Sequence, residues 1–222
     1  MASSWTLAGE LTELAQGDGL ADSLRKIGLL DAGEPLGSLD VVCDWHRSGA
    51  ETYSLRFAVV TSVGARRQCM LKACVASPGA SSLAEVFSEW LERRATVSVL
   101  GISTPTLYAT GRAVLVEEHI PYTLAEALGR ADDRMALVSA LGATAARLVA
   151  GGFAPLSAHD WRSRGTDVVL IDFGQDLGPA NLAPGSEAGL LSEIVDHLSA
   201  SSALSGAELQ ALGAAYEEHL GS

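Results

Sequence analysis

Between Leu39 and Ala76 apolar and polar residues alternate through three successive stretches, Leu39 to Trp45, Tyr53 to Thr61 and Arg67 to Ala76. Two short small-residue turns divide them, Ser48-Gly49-Ala50 and Ser62-Val63-Gly64-Ala65. A period of two sends successive side chains to opposite faces, and connections this short join only antiparallel neighbours. Three such stretches in a row therefore commit this part of the chain to an antiparallel meander. The meander has a face to cover, and the residues after it read as helices. Ser82 to Leu100 is predicted as a helix capped by Ser81 or Ser82, with Phe87, Trp90, Leu91 and Ala95 on one side and Gly101 closing it.

Two more strands are predicted, Thr106 to Ala109 and Ala113 to Glu118, joined at Thr110-Gly111-Arg112. Pro121 then leads into a short helix at Leu124 to Leu128. Met135 to Gly151 is rich in alanine and nearly free of charge, which predicts a long helix buried on most faces. An irregular segment follows, then a strand at Val168, a turn at Asp172, and helices near Glu187 to Ser199 and Ala207 to Leu220. At the other end, Trp5 to Leu30 carries apolar residues at helical spacing broken at Gly17 and Gly19, giving two short helices. The expected organisation is a leading helical cap over 1–38, a sheet-bearing lobe over 39–118 and a mostly helical lobe over 119–222.

Composition removes several classes of function. With 222 residues, 48% of them apolar, there is enough chain for a sizeable core. Charge or glycine interrupts every apolar run well before the roughly 18 residues that span a bilayer, so no transmembrane helix is expected. Met1-Ala2-Ser3-Ser4-Trp5 lacks the basic then apolar pattern of a secretory signal, and Cys43, Cys69 and Cys74 lack metal-ligand spacing. A cytoplasmic protein is expected. A net charge of −12 disfavours nucleic acid and anionic membrane as partners.

Two features carry chemistry. Val168-Val169-Leu170-Ile171-Asp172-Phe173-Gly174 is an apolar strand that runs into an Asp-Phe-Gly turn, which puts a carboxylate at the mouth of a buried strand. A divalent cation there would offset the cost of desolvating it. The second feature is Lys72. Lys26 and Lys72 are the only lysines among fifteen basic residues, and Lys72 lies inside an apolar strand where an arginine-rich chain has kept the other cation.

Five strands with a helix after the third, followed by a mostly helical half, resemble the aminoglycoside phosphotransferase branch of the protein-kinase-like superfamily. Four anchors carry the resemblance, in the family's order: Met70-Leu71-Lys72-Ala73, the helix with Glu85, Glu89 and Glu92, the segment Val114 to Pro121, and Ile171-Asp172-Phe173-Gly174. The resemblance implies an α+β, two-lobed kinase-like fold, with an antiparallel five-stranded sheet and one helix in the first lobe and a shortened helical second lobe. It also implies ATP and magnesium as cofactors. Lys72 would meet the α and β phosphates, held by Glu89 or, as second choice, Glu92. Asp172 would ligate magnesium. Glu117 to Ile120 resembles the hinge whose backbone meets adenine, with Glu118 and Ile120 as contacts. Ser48, Gly49 and Thr52 stand where the family has its phosphate loop, although Glu51 beside them would repel phosphate.

The chain departs from the family at the catalytic loop. No Asn stands between Phe153 and Asp172, and His159-Asp160 replaces the family's His-x-Asp. Either Asp160 is a second magnesium ligand and the base is missing, or Asp160 and His159 form the base in a rearranged loop. Arg162 and Arg164 could grip phosphate or an acidic substrate. Only some 44 residues follow Gly178, which favours an open site, a peptide acceptor or a partner protein that completes it. Two functions follow. One is an ATP- and magnesium-dependent phosphotransferase acting on a hydroxyl, such as Ser or Thr of a precursor peptide beside a lyase in a natural-product pathway. The other is a pseudokinase that binds nucleotide or peptide as a partner subunit.

Overall fold

The structure, a computed structural model, describes residues 32, 40–41, 46–48, 52–60, 66–74, 83–110, 114–154, 160–174, 177–179, 191–192, 194–196, 198 and 204–220. The helices expected between Trp5 and Leu30 lie outside the described residues, as do Gly49 and His159. The fold is α+β and divides into two units, one of Met1–Ser88 with Thr106–His119 and one of Glu89–Pro105 with Ile120–Ser222. Among the described residues no helix is long and apolar enough to cross a membrane.

The first unit is built on an antiparallel sheet of β1 (Asp40–Val41), β2 (His46–Ser48), β3 (Thr52–Val60), β4 (Arg66–Cys74), β5 (Leu107–Thr110) and β6 (Val114–Glu118), in the order β1-β3-β4-β6-β5 with β2 also on β3. Because β4 pairs with β3 from Thr52↔Cys74 to Val60↔Arg66, β1 and β2 must share the other edge of β3. Of the strand expected from Leu39 to Trp45, Asp40–Val41 is a strand and residues 42–45 lie outside the described residues; the sheet has six strands where five were expected, because His46–Ser48 adds a short one on β3. β4 lies in the interior, flanked by β3 and β6.

Helix α1 (Leu83–Val99) follows β4 in sequence. Its buried residues are Phe87, Trp90, Arg94 and Val97, spaced three, four and three apart as one helical face requires. Ala95, expected on that face, is exposed, since five residues from Trp90 carries it well round the helix.

The second unit takes in α1 from Glu89 onward, then α2 (Leu124–Leu128) and α3 (Arg134–Ala150), with α4 (Gly206–Leu220) last. A capping box starts α2: the Glu126 N–H donates to Thr123 Oγ1 at 3.2 Å, and the Thr123 N–H donates to Glu126 Oε2 at 2.9 Å. Asp133 caps α3 through the Ala136 N–H at 2.9 Å. Nine of the seventeen α3 residues are buried, among them Leu137, Leu141, Ala145 and Leu148, as its sparse charge predicts. α3 packs on α4 so closely that a Cβ on Gly142 would fall on the Leu212 carbonyl oxygen. Helical residues at 194 and 198 bury Ile194 and Leu198, where a helix near Glu187 to Ser199 is expected.

The segment expected to be irregular contains strands. β8 (Phe153–Ala154) pairs with β11 (Gly178–Pro179), and β9 (Trp161–Arg164) lies between β7 (Tyr122–Thr123) and β10 (Asp167–Leu170). β9 and β10 form a two-residue hairpin closed by Asp167↔Arg164, with Gly165 at φ 64, the left-handed conformation such turns need at their first central residue. Trp161 and Ser163 point inward from β9, and a serine between two arginines hides the alternation.

Candidate functional site

In the first unit the site residues lie along β4 and β6. The ladder sets Met70 opposite Glu117 and Lys72 opposite Leu115, so Lys72 and Glu117 are diagonal neighbours on one face of the sheet. The Lys72 Nζ lies 2.9 Å from Glu117 Oε1, with 11% of the lysine side chain and 1% of the glutamate side chain exposed. Neither charge has much water, so the pairing offsets part of the desolvation cost of each. This ammonium is on an interior strand, not at a sheet edge where it could reach bulk solvent.

Glu118, the next residue, faces the other way. Its Oε2 accepts from the Thr106 N–H at 3.1 Å and from Thr106 Oγ1 at 2.9 Å. In the hinge-like segment the Glu118 N–H donates to Thr106 O at 2.8 Å and the His119 N–H to Gln68 O at 3.3 Å. Those two donors are engaged within the sheet. The Ile120 side chain is buried in the second unit. Ser48 and Thr52 are brought opposite one another as the last pair of the β2–β3 ladder, and Gly49 lies outside the described residues.

In the second unit the Asp-Phe-Gly turn follows directly on β10. The Leu170 N–H donates to Ser103 O at 3.0 Å, and Ser103 bridges in parallel to Val169, which ties the strand to the segment after α1. Asp172 is half-buried, and its Oδ1 accepts the Gly174 N–H at 3.1 Å, the turn that a short carboxylate makes with its own backbone. Phe173 is fully buried. Trp90 meets it edge-on with ring centroids 5.4 Å apart and planes at 85°, and the Arg94 guanidinium lies 5.3 Å from its centroid. Arg94 also donates to the Pro105 carbonyl.

Glu89 belongs to this cluster. The Arg93 Nη1 donates to Gly174 O at 2.6 Å, and its Nη2 reaches Glu89 Oε2 at 3.4 Å. Glu89 therefore steadies the arginine that fastens the turn, although its own side chain is 63% exposed. Glu92 is exposed on the same helix. Asp160 is half-buried and accepts the Ile171 N–H through its carbonyl at 2.8 Å, one step beyond the Leu170↔Trp161 pair. Asp160 and Asp172 thus stand at adjacent chain ends of one hairpin. Arg162 is half-buried, and burial pulls its guanidinium below its usual range against the opposing pull of Asp160 and Glu126. Arg164 is exposed, with Nη2 3.4 Å from Thr104 O.

The donor chemistry fits magnesium better than a transition metal. Among the described residues no three His, Cys, Asp or Glu side chains gather as a metal cage. Magnesium does not ask for one, because it is held by one or two carboxylates together with substrate phosphates and water. Asp172, whose Oδ1 accepts the Gly174 N–H, and Asp160 are carboxylates of that kind.

Two contributors escaped the sequence reading. Glu117 stood inside the hinge-like segment, yet its pairing with Lys72 depends on strand register. Of two adjacent carboxylates on a strand, one must share the face of the neighbouring lysine, which was the available signal. Arg93 gave no local sign, since its partner Gly174 is 81 residues away in sequence.

The fold and these clusters define an α+β chain with a charge-paired lysine in its sheet and a carboxylate turn after a hairpin. No family model matches the chain, and no curated protein matches it.

Proposed function

We propose that the chain is a kinase-like phosphotransferase that uses ATP and magnesium to phosphorylate a hydroxyl. The observation that carries this reading is the lysine of the third strand position, buried and oriented by a carboxylate. A compact cation directed from a sheet is what a triphosphate needs, because phosphoryl transfer is catalysed by positioning and charge cancellation. Support also comes from the Asp-Phe-Gly turn, whose phenylalanine is packed and whose glycine is held by Arg93. In this reading Lys72 offers charge to the phosphates, and Asp172 and Asp160 hold the magnesium that neutralises them. The resemblance assigns Ser or Thr of a precursor peptide as acceptor and a lyase as partner protein.

A second reading is favoured by one observation. Without an Asn between Phe153 and Asp172 the usual loop is incomplete, which suits a pseudokinase that binds nucleotide or peptide and transfers nothing.

Thermal unfolding with ATP and magnesium tests both. At a ligand concentration of about 100 Kd the stabilisation is roughly 2.7 kcal/mol, a rise of about 5 to 10 °C for a chain of this size. Asp172→Asn should remove the part of the rise that needs magnesium. No rise with the native chain refutes nucleotide binding. A rise without transfer of the γ-phosphate to a Ser- or Thr-containing peptide selects the second reading.

A further inference from the structure

Resting on the nucleotide-binding reading, we propose that Glu117 is the positioning residue for Lys72, in the role that the resemblance gives to a glutamate of the following helix. Three observations converge on it. The two side chains meet at 2.9 Å, the carboxylate is almost wholly removed from water, and the β4–β6 register places them diagonally on one face. A carboxylate buried to that degree favours keeping a cation close, because little water is there to replace it. An ammonium has three donors, so one directed at Glu117 fixes the axis of the side chain without using the whole donor set. On α1, Glu89 is engaged with Arg93 at the Gly174 turn, and Glu92 is exposed. The contact between Lys72 and Glu117 is thus made within a single sheet.

The test is calorimetric titration of the full chain with ATP and magnesium and, separately, with adenosine, for the native protein, Glu117→Gln, Glu117→Asp, Glu89→Gln and Glu92→Gln. Glu117→Gln is expected to weaken ATP binding by about tenfold or more, as loss of a charged hydrogen bond implies, and to leave adenosine binding unchanged. A general structural defect would lower both. Glu117→Asp, which keeps the charge but draws it back by one methylene, should lose ATP affinity by a smaller factor, and it carries the test alone if the Gln variant does not fold. Glu89→Gln and Glu92→Gln should each lose less than Glu117→Gln. ATP binding at the native level in a folded Glu117 variant, equal loss of ATP and adenosine, or a larger loss at Glu89 or Glu92 overturns the proposal. A native chain that binds no ATP overturns the functional reading beneath it and with it the proposal, a result distinct from native binding that Glu117→Gln leaves intact.

Discussion

Alanine at Gly142 and alanine at Gly213 should change stability in opposite directions. Both glycines lie inside helices of the second unit, where replacing glycine by alanine ordinarily favours the helix by about 1 kcal/mol. At Gly213, in α4, an added Cβ meets nothing within 4 Å, so this gain should appear almost whole. At Gly142, in α3, the new methyl would fall on the Leu212 carbonyl oxygen and would also lie 3.2 Å from the Tyr216 nitrogen. These are backbone atoms of the facing helix, with no rotamer to turn aside. Relief requires α3 and α4 to separate, which loosens the packing of the buried Leu212 and Tyr216. Overpacking of this kind costs about 1 to 3 kcal/mol, so the net effect is destabilising by up to about 2 kcal/mol. At about 2 to 4 °C per kcal/mol, Gly213→Ala should raise Tm by about 2 to 4 °C and Gly142→Ala should lower it by as much as about 8 °C. Differential scanning calorimetry on the two variants and the native chain measures both shifts. If Gly142→Ala rises alongside Gly213→Ala, α3 and α4 do not meet at Gly142 and the helix pairing is wrong.

Phe173→Ala should destabilise the second unit by about 3 to 5 kcal/mol in urea unfolding, because it removes a fully buried ring together with its contacts to Trp90 and Arg94. The Glu208 carboxyl is held at about 2, below its usual 4.5, first by the Arg134 guanidinium at 2.6 Å and then by the Ser205 N–H at 2.7 Å. Its folded value is depressed, so its contribution is present in full above 4.5 and is lost as pH falls from there through about 2. Glu208→Gln should flatten that acid limb in a pH series of melts, and an unchanged limb would refute the assignment. Thr123→Ala breaks the capping box of α2 and should cost about 1 kcal/mol, read from chemical denaturation beside Thr123→Ser, which keeps the hydroxyl.

The parts of the structure that could be read in the sequence are those set by local pattern. Alternation marked β3 and β4, sparse charge marked α3 as a buried helix, and an apolar run into Asp-Phe-Gly marked the turn after β10. β9 could not be read this way, because its inward positions are Trp161 and Ser163 and its outward ones are arginines. Only Gly165 hinted at the hairpin. The partners of the site residues were harder still. Lys72 meets Glu117 because two strands pair in one register out of many, and Arg93 meets Gly174 across 81 residues of chain. Such contacts belong to tertiary placement, which no window of sequence contains.

An ion pair fixed by strand register also governs how this sequence can drift. Loss of Glu117 alone would take a close carboxylate from an ammonium whose side chain is only 11% exposed, and loss of Lys72 alone would take a close cation from a carboxylate that has almost no water. Either step is hard to take first. Descendants of this chain should therefore either retain both residues or exchange both together for an apolar pair, so that positions 72 and 117 vary in concert while the glutamates of α1 vary independently of position 72.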